Sequence, residues 1–188
     1  SNGCRLAAIT TGGALARGSE QSGVAVWQYN YQSQPRAAIG YTAVMLLAML
    51  ARLKIIPDPE AELSAAIQTM RNQQAGLRAA IPTAKNPAKR MAGQLFGRWV
   101  TVFGADVLQP VARRWKGKIN ELAKAWGQFE ALPEADHNTL AAVMNPAEAL
   151  EHTMALFLRA PSYHPRNLLR SNLTKRAFML EGLNTDFI

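Results

Sequence analysis

The chain has 188 residues, of which 48% are hydrophobic and 18% are charged, so it can bury a substantial core and is not a disordered protein. Its single cysteine excludes an internal disulfide, and its three scattered histidines, without CxxC, HxH or HExxH spacing, argue against a metal site. Lysine and arginine outnumber aspartate and glutamate by 21 to 13, which favours an anionic partner such as a phosphate ester, a nucleic acid or an acidic surface.

The first elements in chain order alternate between strand and helix. Residues 5–10 form a short apolar run, Gly12 and Gly13 indicate a tight turn, residues 14–22 have helical composition, and residues 24–28 form a second apolar run. Parallel neighbouring strands need a crossover and are buried on both faces, so this order predicts a parallel sheet covered by helices. The two glycines could also admit a phosphate to a helix N-terminus, but they lack the longer GxGxxG spacing.

Three helices are predicted next, over residues 35–53, 60–77 and 88–96. Pro35 is suited to a first helical turn, and Pro57 and Pro59 separate the first two helices. Residues 37–50 are strongly apolar, but this stretch is too short to cross a bilayer and is internal, so it is not a signal peptide. We therefore expect a buried helix, no membrane association and a location in the reducing cytoplasm.

The alternation of strand and helix resumes at residue 99. We predict a strand at 99–104, a helix at 108–129, a loop at 132–138, a strand at 153–158 and a helix at 165–183. The long helix carries an apolar stripe at helical spacing, formed by Leu108, Val111, Ala112, Trp115, Ile119, Leu122 and Trp126. The predicted architecture is thus α/β with two halves: residues 1–34 end the first, 35–96 are connecting helices, and 97–188 form the second, truncated at its C-terminus.

Arg36 is the first candidate functional residue. It follows Gln34 and Pro35 in a first helical turn, where a cation is unfavourable for the helix dipole. Its position indicates either anion binding beside free backbone N–H groups or an exposed arginine that covers an apolar helix end.

Glu121 is the second candidate. Arg114, Lys118 and Glu121 are spaced by four and three residues, so they share one flank of the long helix. The carboxylate there could act as a proton-transfer base, or it could form an ordinary surface ion pair with Lys118.

His137 is the third candidate. It lies in the loop after Pro133 with Glu134 and Asp136 close by, where an imidazole can titrate near neutrality and move protons, or can simply be solvated or cap a helix. His152 and His164 lack comparable neighbours and are interpreted as structural.

These pieces occur together in one known family. The motifs ITTGG, QPRAAIGY, VARRWKGKINELAKAW and LPEADHN, in this order, resemble the bifunctional phosphoglucose/phosphomannose isomerases of the sugar isomerase (SIS) superfamily. There the last three stretches read approximately QPRAALGY, RWKTQINENAK and LPELNHNE. The resemblance spans the chain from about Gly3 to its C-terminus, and it implies a three-layer αβα SIS-type fold with a parallel sheet, comprising one full half plus the end of a preceding half.

The resemblance also implies an activity: isomerisation of glucose 6-phosphate or mannose 6-phosphate to fructose 6-phosphate through a cis-enediol. Glu121 matches the base that moves a proton between C1 and C2, and Arg36 matches the cation that stabilises the enediolate. His137 matches the residue that assists ring opening in the neighbouring subunit, so a homodimer is expected. No metal or organic cofactor is expected.

Two departures from the family pattern concern the site. Leu122 stands where the family usually has Asn, and Thr139 stands where it usually has Glu, which leaves the support of Glu121 and His137 and the substrate preference open. The family's Ser/Thr-rich phosphate-binding loop would precede this chain and a Lys-bearing segment would follow it. We therefore expect residues 1–188 alone to have little isomerase activity.

Two other functions remain to be weighed. One is a non-catalytic sugar-phosphate-binding module of the same fold, although it would have no reason to keep Arg36, Glu121 and His137 together. The other is nucleic-acid binding by the basic residues, which lack an interleaved aromatic platform, so no nucleic-acid partner is expected. The basic residues concerned are Lys85, Lys89, Arg90, Arg98, Arg113, Arg114, Lys116 and Lys118.

Overall fold

The computed structural model describes residues 3–188 and has two compact units, one ending at Gly76 and the other comprising Leu77–Ile188. Residues of the predicted connecting segment 35–96 are found in both units, and the first two residues of the predicted segment 1–34 lie outside the described part. Both units contain parallel strands joined through helices, so the predicted α/β class is confirmed.

The first unit begins with a βαβ element. Strand β1 (Ala7–Thr10), helix α1 (Gly13–Gln21) and strand β2 (Ala25–Gln28) follow one another, and the two strands pair in parallel. The turn before α1 needs glycine, because Gly12 and Gly13 have φ angles of 130° and 73°, which L side chains rarely adopt. The Thr10 hydroxyl closes this turn by accepting a hydrogen bond from the Gly12 N–H at 3.1 Å. The tight turn inferred from the sequence is therefore confirmed.

Two helices follow in the first unit: α2 (Ile39–Arg52) and α3 (Glu60–Leu77), whose last residue already belongs to the second unit. Helix α2 is joined to the end of β2 by aromatic contacts. The rings of Tyr29 and Tyr41 stack with centroids 5.0 Å apart, and the Arg52 guanidinium lies 5.1 Å from the Trp27 ring. Such contacts suit side chains that combine an apolar body with a polar tip.

The prediction of a buried helix over residues 37–50 is only half correct. The helix exists, but apart from Ala38, which lies just before α2, none of its residues is buried, and Ile39, Val44 and Leu46 are each about half exposed. The reason is the narrowness of the sheet in this unit, because two short strands cannot cover a helix that is apolar on most of its surface. Across residues 3–188, no helix combines the length and apolarity needed to cross a bilayer.

The second unit is built on a four-stranded parallel sheet in the order β4-β3-β5-β6. Its strands are β3 (Trp99–Gly104), β4 (Gly127–Ala131), β5 (Thr153–Phe157) and β6 (Asn184–Phe187). Its helices, after the end of α3, are α4 (Pro87–Leu95), α5 (Gln109–Lys118), α6 (Glu134–His137), α7 (Ala147–Glu151) and α8 (Pro165–Leu180).

The predicted long helix at 108–129 is wrong in its second half. Helix α5 ends at Lys118, a π-turn covers Ile119–Ala123, and Lys124 stops it in the left-handed conformation with φ 56°. The chain then enters β4, which pairs with β3. The apolar stripe seen in the sequence therefore belongs to the α-helix only up to Trp115, and Trp126 is 71% exposed instead of packing on the sheet.

Two further expectations differ from the structure. The predicted loop at 132–138 contains the short helix α6, and the end of the chain forms strand β6, which extends the sheet beside β5. Strand β6 was missed because it is short and two of its four residues, Asn184 and Asp186, are of types depleted in strands.

Alternate side chains of the sheet pack on two helical layers, which confirms the three-layer arrangement. On one face, Val102 and Leu156 are fully buried under α4 and α5. On the other face, Phe103 and Phe157 stack with centroids 4.6 Å apart, and the Phe178 ring of α8 meets Phe103 edge-on at 5.5 Å. This alternation follows from the period of two along a strand.

Replacing Gly104 by alanine is expected to destabilise the second unit by about 1–3 kcal/mol. An added Cβ would lie 2.5 Å from the Leu108 carbonyl oxygen and 2.9 Å from the Ala112 Cβ, so α5 would have to move from the sheet. Gly117→Ala is the matched control on α5, because a Cβ there meets nothing within 4 Å and alanine favours the helix by up to about 1 kcal/mol. Urea unfolding of both variants measures the difference, and equal effects would contradict the packing argument.

Candidate functional site

Glu121 lies on the π-turn between α5 and β4. Single π-turns at the end of a helix are uncommon and are frequently found at functional sites. The turn changes the helical repeat, so Glu121 does not continue the flank of α5 on which the sequence placed it. The Glu121 side chain is exposed, and so is the neighbouring Leu122, at 59%. Leu122, which stands where the family usually has Asn, therefore offers no polar side chain to Glu121.

Two side chains hold the shape of this turn. The Asn120 Nδ2 donates to the Ala125 carbonyl at 2.8 Å, and the Lys124 ammonium donates to the Glu121 carbonyl at 2.7 Å. At the base of the turn, Ile119 lies against Gly127, where an added Cβ would meet the Ile119 Cγ2 at 3.1 Å. Backbone carbonyls left without helical partners are thus satisfied locally, and Glu121 is presented from a braced turn.

His137 lies at the end of α6, which follows β4 directly. The helix is anchored by its neighbours: Ala135 is fully buried, and the Asp136 carboxylate accepts a hydrogen bond from the Thr174 hydroxyl at 2.6 Å. The exposed His137 is therefore carried by a short helix that is held in place by its neighbours. The Asn138 side chain donates to Glu134 at 3.1 Å and accepts from the Thr139 hydroxyl at 3.0 Å, so Thr139 contributes a hydroxyl where the family usually has a carboxylate.

Glu121 and His137 flank opposite ends of β4. Glu121 precedes the strand, at the amino edge of the sheet, and His137 follows it at the carboxyl edge. Since β4 has five residues, the strand alone separates the two edges by about 13 Å. The second unit therefore does not bring these two predicted site residues together.

Arg36 belongs to the first unit. It lies in a 3₁₀ turn, Pro35–Ala37, after β2 and directly before α2, which agrees with the prediction that Pro35 opens a helical segment. The Arg36 Nη1 lies 3.4 Å from the Gln34 side-chain oxygen, and the residue is partly buried.

The carboxyl ends of β3 and β5, where parallel sheets often bind ligands, are closed by internal hydrogen bonds. The Tyr163 hydroxyl accepts from the Ala105 N–H at 2.9 Å and donates to the Leu158 carbonyl at 3.0 Å. Burial raises the pKa of Tyr163, which keeps this hydroxyl protonated. The crevice is thus occupied by the protein's own groups.

Asp106 completes this closure. Its carboxylate accepts from the Asn167 side chain at 2.8 Å and from the His164 N–H at 3.1 Å. The hydrogen bond from Asn167, followed by the one from the His164 backbone, holds the pKa of Asp106 below its usual range. The His164 Nδ1 in turn accepts from the Arg166 N–H at 3.2 Å and caps α8, which is the structural role inferred for this histidine.

Some basic residues of the suggested nucleic-acid run bind backbone carbonyls of the second unit. Lys89 donates to Ala79 at 2.7 Å, and Arg90 donates to Ala84 at 2.9 Å. Among residues 3–188 there is no group of three or more His, Cys, Asp or Glu side chains that could hold a metal ion.

The second unit is thus an α/β unit with a parallel sheet. The candidate base Glu121 lies at the amino edge of this sheet, and the candidate acid–base residue His137 lies at its carboxyl edge. Residues 84–187 match the family described as the bacterial phospho-glucose isomerase C-terminal SIS domain. The chain belongs to this family, and the resemblance inferred from its motifs is confirmed.

Two curated relatives match nearly the whole chain. The bifunctional phosphoglucose/phosphomannose isomerase of Caldicellulosiruptor bescii is 29% identical over 92% of this chain and 51% of its own length. The protein of the same name from Aquifex aeolicus is 28% identical over 93% of this chain and 50% of its own length. The chain therefore spans about half the length of these relatives.

A solved structure supports the fold. A glucose-6-phosphate isomerase like protein from Thermus thermophilus superposes with a TM-score of 0.51 over 62% of this chain and 38% of its own, at 17% identity. At this identity the likeness concerns the fold, which is of the SIS type.

Sequence reasoning missed Asn120, Lys124 and the exposed Trp126 as features of the site. All three lie within or beside the INELAK motif, but the sequence assigned them to a regular helix. The sequence does contain an indication of the strand: after Gly127, polar and apolar residues alternate over residues 128–131, which is typical of a strand.

Proposed function

We propose that this chain is part of an aldose–ketose isomerase acting on glucose 6-phosphate or mannose 6-phosphate and fructose 6-phosphate. Membership of the isomerase SIS family and the names of the two curated relatives support the substrate class. The observation that carries the proposal is the exposed carboxylate of Glu121 on a π-turn braced by Asn120 and Lys124. A base held on a rigid element can be placed accurately beside a substrate carbon.

The proposed reaction needs only proton transfers. His137 moves the proton of the O1 hydroxyl to the ring oxygen as the sugar opens. Glu121 then takes the proton from C2 of the open aldose, giving a cis-enediol, and returns a proton to C1, while the hydroxyl proton moves from O2 to O1. Arg36 stabilises the negative charge on the enediolate oxygen. No electron acceptor is consumed, because C1 is reduced as C2 is oxidised.

We also propose that the working site is shared between two copies of the protein. In one chain Glu121 and His137 lie at opposite edges of the sheet in the second unit, which favours a site that combines the glutamate of one copy with the histidine of another. A symmetric dimer offers each copy the histidine of the other, since a two-fold interface presents the same surfaces twice. The location in the cytoplasm stays a prediction.

Isomerisation in D₂O tests the proposal. The protein that carries this chain is incubated with glucose 6-phosphate, and separately with mannose 6-phosphate, and fructose 6-phosphate is followed with a coupled assay. Because the enediol route passes the proton through a carboxylate that exchanges with water, we expect solvent deuterium at C1 of the product and at C2 of recovered substrate. Binding without turnover would instead favour a non-catalytic sugar-phosphate-binding module, and turnover without any solvent label would contradict the enediol route.

A further inference from the structure

The π-turn that carries Glu121 also borders an open depression of about 550 Å³ within the second unit. Its polar lining comes from Lys116 on α5, Asn120 and Lys124 on the turn, and Gln128 on β4. Trp126 forms the apolar part of the wall. This depression is separate from the closed crevice at the carboxyl ends of β3 and β5, and none of the functions considered above uses it.

The depression is positively charged. Lys116 and Lys124 line it, and none of the described residues that line it is acidic; Glu121 lies on the same π-turn but is not part of the lining. Lys124 gives one N–H to the Glu121 carbonyl at 2.7 Å, so two of its three donors remain for a ligand. Lys116 is partly buried, as expected for a lysine that packs its methylene stem on the protein and keeps its ammonium group at the surface. This combination favours a compact anion with several oxygen acceptors.

The depression also offers a flat apolar surface. Trp126 is 71% exposed, and its ring is held by contact with Trp99 at a centroid distance of 5.7 Å. Such a ring can lie against the C–H face of a sugar. Beside it, the Asn120 amide is fixed by its bond to Ala125, and Gln128 is exposed, so hydroxyl groups would find amide partners. An exposed aromatic ring beside cations and amides suits a ligand with a phosphate at one end and a polyol at the other.

We propose that this depression is a binding site for a phosphate monoester of a sugar, with the phosphoryl group between Lys116 and Lys124 and the carbohydrate on Trp126. The assignment of a sugar as the group that bears the phosphate rests on the proposed isomerase function. The anion-binding site itself is inferred only from the residues that line the depression. A ligand here would contact both side chains that brace the π-turn. Its binding would therefore steady the turn that presents Glu121.

The test uses the indole N–H resonance of Trp126 in the ¹⁵N-labelled chain, assigned with the Trp126→Phe variant. Glucose 6-phosphate, glucose and inorganic phosphate are titrated separately into the wild type, Lys116→Gln and Lys85→Gln. Lys85 is exposed and outside the depression, so Lys85→Gln removes the same charge as a matched control. We expect glucose 6-phosphate to shift the Trp126 resonance, with its Kd raised about tenfold in Lys116→Gln and unchanged in Lys85→Gln.

Several outcomes would overturn this inference. If glucose 6-phosphate leaves the Trp126 resonance unmoved, or if Lys116→Gln binds it like the wild type, the site does not exist. If inorganic phosphate binds as tightly as glucose 6-phosphate, the sugar does not contribute and the assignment of a sugar ester is wrong. Because the readout is binding at one indole, an inactive protein in the D₂O assay would refute the isomerase proposal and leave this site standing, and the reverse also holds.

Discussion

Glu121→Gln is expected to lower kcat for isomerisation by about 10²–10⁴-fold while KM changes little. The amide has the size of the carboxylate but cannot accept the C2 proton. Because the Glu121 side chain is exposed and only its backbone carbonyl takes part in the bracing of the turn, the fold should not change. Steady-state kinetics with the coupled assay give kcat and KM separately, and a loss confined to kcat is the signature of a group that acts in the chemical step.

Glu148→Gln is the matched control for this experiment. Glu148 is an exposed glutamate on α7, so its substitution removes the same charge without touching the π-turn. It should keep the activity of the wild type, and both variants should unfold at the same urea concentration as the wild type. A Glu121→Gln protein with undiminished kcat would remove this residue from the proposed mechanism.

Mixing two inactive variants is expected to restore activity. Glu121→Gln and His137→Ala should each be inactive alone. After subunit exchange at equal concentrations, about half of the dimers are mixed, and each mixed dimer has one site with both an intact glutamate and an intact histidine. About a quarter of the wild-type activity should return. The physical reason is the separation of Glu121 and His137 by the length of β4.

The controls for this mixing experiment establish exchange and specificity. Native mass spectrometry of the mixture confirms that mixed dimers form, and His152→Ala, which removes another exposed histidine of the second unit, should stay active alone. If mixed dimers are present and no activity returns, the histidine does not act across subunits. If His137→Ala is fully active by itself, His137 has no part in ring opening.

The sequence predicted most of the fold because its apolar runs are bounded by clear signals. Gly12 and Gly13 end β1, and Gly104 ends β3, and both strands lie where they were expected. The error at β4 has a definite cause. Ile119, Leu122 and Trp126 continue the helical spacing of α5, so periodicity alone cannot detect that a π-turn and a left-handed Lys124 interrupt the helix.

The sequence named the candidate site residues, which stay a prediction, but it did not predict their arrangement. Glu121 and His137 were recognised from short motifs, and chain order alone suggested a helix and a loop for them. The structure instead places them before and after one strand, so their distance depends on β4 and on its pairing with β3. Strand pairing is a long-range contact, and local spacing carries no information about it.

The sequence by itself determined the α/β class, the family and the three candidate residues Arg36, Glu121 and His137, because these depend on local composition and on short motifs. Only the tertiary structure decided that α5 stops at Lys118, that Trp126 is exposed beside Lys116, and that the carboxyl ends of β3 and β5 are closed by the protein's own side chains. These features arise from strand pairing and side-chain packing between segments that are distant in the chain. The free energies of such contacts cannot be inferred from a local sequence pattern.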